Sequence, residues 1–296
     1  MASLQKSNLT NSPFRYPGGK FYARKLILAA LPNHQRYCEP FVGGGSIFFA
    51  KKLAAHNILN DLDSQLINTY LIIQNQVTDL IDLLDGIPAT KELHRYYKLE
   101  YQPQNNLERA FRWYYLNRIS YSGIMKIDNC YWGYGEKYSM RPENWARHLR
   151  TVSEKIQAVT FLSQDFETLI DSLPDGYFLF IDPPYFNADQ DKFYTCSFSK
   201  TDHQRLANAL FRNSERLKFL LTYDNSPEIR SMYAWCDSQE ERQWNYTIAR
   251  TDDQRNQKKL ADGHEGTRSK GREIFISNYD LNALVQPQAA LLELAV

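Results

Sequence analysis

Cysteine is scarce and scattered in this 296-residue chain: Cys38, Cys130, Cys196 and Cys236 are widely spaced and form no Cys-x-x-Cys pair. That spacing argues against a zinc site and against a disulfide framework, so the thiols are expected to be reduced and no metal is called for. No apolar run approaches the roughly 18 residues of a membrane span. The polar stretch Ala2 to Asn11 lacks the core of a signal peptide, so a cytoplasmic location without a membrane partner is expected. The pattern G-x-G-x-x-G is missing as well, which leaves pyrophosphate binding without support. An excess of one charge is also lacking, since 35 Lys and Arg stand against 34 Asp and Glu for a net +1.

That balance hides an asymmetry. From Lys91 to Arg150 there are eleven basic residues against six acidic ones, about +5, a distribution suited to a phosphate-facing surface. A second basic stretch, Arg242 to Arg272, contains Arg250, Arg255, Lys258, Lys259, Arg268 and Lys270; it reads either as a solvated surface loop or as one ordered by phosphates. The 91–150 region is rich in aromatics. Phe111, Tyr114 and Tyr115 follow Leu107 at helical spacing and are expected in the core. Asn117 to Gly123 and Tyr131 to Gly135 read instead as loops or hairpin turns with exposed side chains. At this length a core sheet with an inserted or appended subdomain is expected.

The chemistry concentrates at Asp182-Pro183-Pro184-Tyr185, which follows the apolar run Tyr177 to Ile181, a fully buried strand by pattern. The prolines stiffen the turn and lack N–H groups, so it presents carbonyls. A carboxylate, an oriented carbonyl and an aromatic plate suit a flat ring carrying an amine, whose two N–H bonds Asp182 and the Pro183 carbonyl could accept. Tyr185 offers a stacking face worth about 1–3 kcal/mol per base. Taken alone, the tetrapeptide is equally a strand-ending turn with a half-buried tyrosine. A second strand-like stretch, Tyr37 to Phe41, runs through Val42-Gly43-Gly44-Gly45-Ser46 into a helical segment, Ile47 to Leu53. Glycines permit positive φ and close approach to a ligand. Asn57 to Asn60 is a third short strand ending at Asp61, where an acidic residue takes ribose hydroxyls or caps the helix beginning near Ser64. A ligand with ribose and no pyrophosphate fits, and S-adenosyl-L-methionine is such a ligand.

With these pieces in order, the chain resembles the Dam-like DNA adenine-N6 methyltransferases, the D12 class or α group. The resemblance rests on Phe14 to Lys20, Glu39 to Ser46, Leu59 to Asp63 with Leu66 to Tyr70, Asp165-Phe166, Asp182 to Tyr185, His203 to Ala207 and Arg272 to Tyr279. It implies an α/β fold, a Rossmann-like methyltransferase sheet (1–70 and 151–296) with an inserted, mainly helical target-recognition subdomain (71–150). By the same resemblance Tyr16, Lys20, Phe41, Gly43, Gly45 and Asp61 surround the methyl donor, with Asp61 on its ribose. Asp165 and Phe166 hold the donor's adenine, and Asp182 belongs to both sites. Read singly, Lys20 is a solvated helix-start charge and Phe166 a core aromatic.

The partner implied is double-stranded DNA, from which an adenine rotates out at a cost of roughly a few kcal/mol. Arg118 then contacts the DNA backbone, while Tyr121 and Ser122 enter the base stack. Lys126 stands where relatives reading GATC carry an arginine, and Trp132-Gly133-Tyr134 departs from them too. Lysine does not replace arginine at a bidentate guanine contact, so the recognition sequence stays open. The flipped base is expected between Tyr185 and the loop Phe186 to Ser199, with Phe193, Tyr194 and Phe198 closing over it. Cytosine N4, an RNA adenine, or a DNA-binding module with a vestigial pocket are the competing readings. A cognate restriction endonuclease is a partner the resemblance allows.

Overall fold

A computed structural model describes residues 9–136, 139–187, 195–245 and 270–283. Phe193, Tyr194, Tyr138 and the basic residues Arg250, Arg255, Lys258, Lys259 and Arg268 lie outside the described residues.

Short strands build the sheet. After α1 (Arg24–Ala29), β1 (Arg36–Glu39) leads through the glycine loop to α2 (Ser46–Ala50), and β2 (His56–Asn60) leads to α3 (Ser64–Asn75). Four more helices precede the next strand: α4 (Val77–Leu84), α5 (Lys91–Leu99), α6 (Asn106–Ile119) and α7 (Trp145–Ile156). Then come β3 (Val159–Leu162), α8 (Phe166–Ser172), β4 (Tyr177–Ile181), α9 (Lys200–Arg212), β5 (Lys218–Asp224), α10 (Pro227–Met232), β6 (Ser238–Asn245) and β7 (Lys270–Ser277). The seven strands stand in the order 3-2-1-4-5-7-6, with β7 antiparallel between β5 and β6. β1 and β4 are parallel neighbours, and the strand order reverses between them. Ligands in open α/β sheets bind at such a reversal, outside the carboxyl ends of the strands. The loops after β1 and β4 are among those the sequence marks.

Side chains alternate across a strand, so each buried strand feeds two cores. Tyr37, Phe178 and Phe180 face one layer, continuous with Tyr70, Tyr114, Tyr115 and Trp145. Cys38, Leu179 and Ile181 face the other, formed with α8, α9 and α10. Phe111, Tyr114 and Tyr115 are buried as their spacing predicts. Lys155 of α7 is itself buried and donates to the carbonyls of Phe49 (3.0 Å) and Lys51 (2.8 Å). A cation thus satisfies the C-terminal end of the five-residue α2 that follows the glycine loop.

One stretch departs from its sequence reading. Asn117 to Gly123 is not an exposed loop: α6 continues to Ile119, Asn117 and Ser120 are fully buried, and Arg118 is 6% exposed. Packing of α6 against α3 and α4 overrides the local turn signals. Among the described residues, no helix is long and apolar enough to cross a membrane.

Candidate active site

Segments far apart in the chain converge on one cavity of about 420 Å3. Its walls include Tyr16 and Lys20, then Phe41, Gly43 and Gly45, then Asp61, then Asp165 and Phe166, and finally Asp182, Pro183 and Tyr185. The corner at Asp182 therefore opens toward the glycine bend.

Gly43 and Gly45 have φ of +45° and +64°, in the region that disfavours a side chain. A Cβ on Gly43 would stand 2.9 Å from Cε1 of Tyr16, and one on Gly44 would stand 3.0 Å from its Cβ. The close approach that these glycines permit is thus made partly by this chain's own Tyr16. Asp61 holds the bend: its Oδ2 accepts the Gly43 N–H (2.9 Å) and its Oδ1 the Asp63 N–H (3.0 Å). Asp61 does not cap the next helix. Asp63 does so, accepting from the N–H groups of Gln65 and Leu66, which leaves Asp61 committed to the loop. Burial raises the Asp61 carboxyl to about 6, against the hydrogen bonds that favour its charge.

Asp165 caps α8 through the N–H groups of Glu167 (3.0 Å) and Thr168 (3.3 Å). Arg205 pairs with the same Oδ1 at 2.8 Å. Phe166 is both a core aromatic and cavity wall: it is buried, and its ring lies 5.4 Å from Phe41 and 5.5 Å from Phe198. Phe198 is itself buried in this cluster, so the one described member of the expected closing trio already packs on the site.

Among the described residues, Asp182 is held on one oxygen, Oδ1. Lys20 Nζ lies 2.8 Å from Oδ1, and Thr222 Oγ1 donates to the same atom at 2.8 Å. Oδ2 has no hydrogen-bond partner among the described residues. Lys20 is 4% exposed, so it is not a solvated charge; it also donates to the Gly18 carbonyl (3.1 Å) and sits 4.9 Å from the Tyr185 ring centre. Beyond Tyr185 the chain is fixed by Asp224, which accepts from Phe186 N–H and Asn187 Nδ2, both at 2.8 Å.

Arg118, Tyr121, Ser122 and Lys126 lie outside the cavity walls, yet they are tied to it. Asn117 accepts the Arg15 N–H (2.9 Å) and donates to the carbonyls of Arg15 (2.8 Å) and Gly123 (3.2 Å). Arg15 immediately precedes Tyr16. Arg118 donates to the Pro13 carbonyl at 3.3 Å. Ser122 has φ +52°, the one positive value of a non-glycine residue among the described residues. The two aromatic segments meet where Tyr121 N–H donates to the Tyr131 carbonyl (2.7 Å) and Gly133 N–H to that of Ile119 (2.9 Å). A Cβ on Gly133 would fall 2.2 Å from Tyr121 Cα.

Sequence reasoning missed Thr222, Asp224, Asn117 and Gly133. Thr222 left a trace, the one aliphatic hydroxyl in the apolar run Phe219 to Tyr223. Asn117 left none, because Arg15, which it brackets on both backbone groups, is about a hundred residues away.

A sheet of this order, with its cavity at the reversal between β1 and β4, is a Rossmann-like methyltransferase fold. A family model for the D12 class N6 adenine-specific DNA methyltransferases matches residues 16–248, and the chain belongs to that family. It is 27% identical to the Type II methyltransferase M1.LlaDCHI of Lactococcus lactis subsp. cremoris, covering 79% of this chain and 88% of that protein. It is 26% identical to the Type II methyltransferase M.CviBI of Paramecium bursaria Chlorella virus NC1A, covering 90% of this chain and 98% of the relative. The DNA N-6-adenine-methyltransferase of Escherichia phage P1 is 29% identical over 75% of this chain, which spans 31% of that longer protein. The chain is an adenine-specific DNA methyltransferase.

Proposed function

We propose that the cavity takes S-adenosyl-L-methionine and that an adenine swung out of double-stranded DNA enters beside Tyr185. The observation that carries this is the half-engaged Asp182, whose Oδ1 is fixed by Lys20 and Thr222 while the residue borders the same cavity as Gly43 and Asp61. When bound, the donor supplies an electrophilic methyl group on a sulfonium and leaves as S-adenosyl-L-homocysteine. Asp61, already ordered by backbone donors, accepts ribose hydroxyls. Asp165 receives the donor's adenine, and Phe41 and Phe166 pack against it. Asp182 Oδ2 and the Pro183 carbonyl accept the two N–H bonds of the target amine, drawing its lone pair out of ring conjugation. Tyr185 stacks on the base. Alignment and the apolar wall of Phe41, Phe166 and Phe198 supply the rate gain without a covalent enzyme intermediate.

The helical region 71–150 acts as the target-recognition subdomain. Tyr121 and Ser122 wedge into the stack and Lys126 reads a base, while the buried Arg118, donating to the Pro13 carbonyl, braces that segment instead of reaching a phosphate. The relatives' Type II names support a role beside a cognate restriction endonuclease, and DNA as substrate supports a cytoplasmic location. The test is transfer of labelled methyl from S-adenosyl-L-methionine to mixed-sequence duplex DNA, followed by nucleoside analysis. N6-methyladenine is the expected product. Unlabelled DNA beside a working control, or N4-methylcytosine, would refute the reading.

A further inference from the structure

Behind the cavity wall lies a carboxylate that the proposed reaction does not yet use. Glu273 is 2% exposed, and strand pairing sets it opposite Asp224 on one side and Arg242 on the other. Its Oε2 is 3.8 Å from Lys20 Nζ, the same ammonium that lies 2.8 Å from Asp182 Oδ1. Among the described residues, neither Glu273 oxygen has a hydrogen-bond partner of ordinary geometry. One buried cation therefore stands between two carboxylates, one lining the cavity and the other shut behind it.

We infer that Glu273 is a positioning residue which, when ionised, shares Lys20 with Asp182 and so keeps the Asp182 carboxylate electron-rich enough to grip the target amine. This rests on the reading of Asp182 given above. An ionised Glu273 divides the field of the ammonium. A protonated one leaves Lys20 wholly to Asp182, lowering the acceptor strength of Oδ2 and weakening the withdrawal of the amine's lone pair. A neighbouring carboxylate worth a unit charge acts strongly at such range in a desolvated site.

The surroundings poise Glu273 to change charge in the working range. Burial pushes its carboxyl up to about 7; Lys20 pulls it down, Asp182 raises it, the Tyr185 hydroxyl favours the anion, and Asp224 raises it again. From β6, Arg242 is directed to Glu240 rather than to Glu273. From β5, the Tyr223 hydroxyl is taken by His203. Lys20 is thus the cation closest to Glu273 among the described residues, and its sharing is the main device that can keep the anion.

The experiment is single-turnover methyl transfer to duplex DNA with saturating S-adenosyl-L-methionine, run from about pH 5.5 to about pH 9. The wild-type rate should rise with pH through a midpoint near 7. Glu273→Gln, which imitates the protonated form, should lower the rate at high pH on the order of tenfold. Its acid limb should vanish, while donor affinity by calorimetry holds. A wild-type rate independent of pH between about 6 and 8 overturns the inference whether or not the variant folds. So does a folded Glu273→Gln variant with the wild-type profile. Asp182→Ala separates the two claims: activity surviving that change sinks the amine-gripping role itself, whereas loss there with an unaffected Glu273→Gln sinks the role of Glu273 alone.

Discussion

Thr222→Val tests the support of Asp182 most cleanly, because it removes a hydroxyl without removing volume. Thr222 is fully buried, and its Oγ1 donates to Asp182 Oδ1 at 2.8 Å. A hydrogen bond to a charged group contributes about 1.5–3 kcal/mol. Only part of that can appear in the rate, since Lys20 still holds the same oxygen at 2.8 Å. If about 2 kcal/mol is lost from the transition state, turnover falls roughly thirtyfold, at 1.36 kcal/mol per factor of ten. Thr222 is not among the cavity walls, so donor affinity should be unchanged. The assay pairs single-turnover methyl transfer with donor calorimetry and a thermal melt. A variant that melts within a few degrees of wild type yet methylates at the full rate would show that the orientation of Asp182 by β5 is irrelevant to catalysis. Weakened donor binding with an intact chemical step would equally defeat the argument, because it would move Thr222 to the other half of the site.

Three further outcomes follow from the geometry. Gly43→Ala forces a side chain into φ +45° and toward the Tyr16 ring, costing about 1–2 kcal/mol in backbone strain alone; calorimetry should show at least a several-fold loss of S-adenosyl-L-methionine affinity, and full affinity would contradict the assigned role of the bend. Gly133→Ala puts a Cβ against Tyr121 and should displace the Tyr121–Ser122 segment, so duplex binding measured by anisotropy drops while donor binding survives. Burial pushes the His203 imidazole down to about 4. The unfolded chain therefore binds that proton near pH 6.5 while the folded one binds it only near 4, and stability falls as pH drops through this window by up to about 3 kcal/mol; denaturant midpoints should show a shallower decline for His203→Gln than for wild type, and parallel slopes would refute it.

Much of the cavity lining was legible in the chain itself. Strands end at Glu39, Asn60 and Ile181, each followed by a chemically unusual turn, and those turns line one cavity. Local pattern suffices there because β4 is a continuous apolar run and glycines mark the bend after β1. The reading failed where burial reversed a local signal. Asn117 to Ser120 carries turn-like residues, but α6 packs between its neighbours and takes them inside. Lys20 reads singly as a surface charge, yet the fold shuts it between Asp182 and Glu273.

The sequence by itself determined the family, through the joint order of its motifs, and it marked the strands and turns of the cavity because proline stiffness, glycine freedom and apolar runs act within a few residues of the chain. Tertiary structure alone decided which side chains hold those residues in place. Thr222 and Glu273 reach the Asp182 corner only because β5 is registered beside β4 and β7 beside β5, and Asn117 reaches Arg15 only because α6 packs against the first segment. Such pairings depend on burial and strand register summed over distant parts of the chain, and no local pattern encodes them.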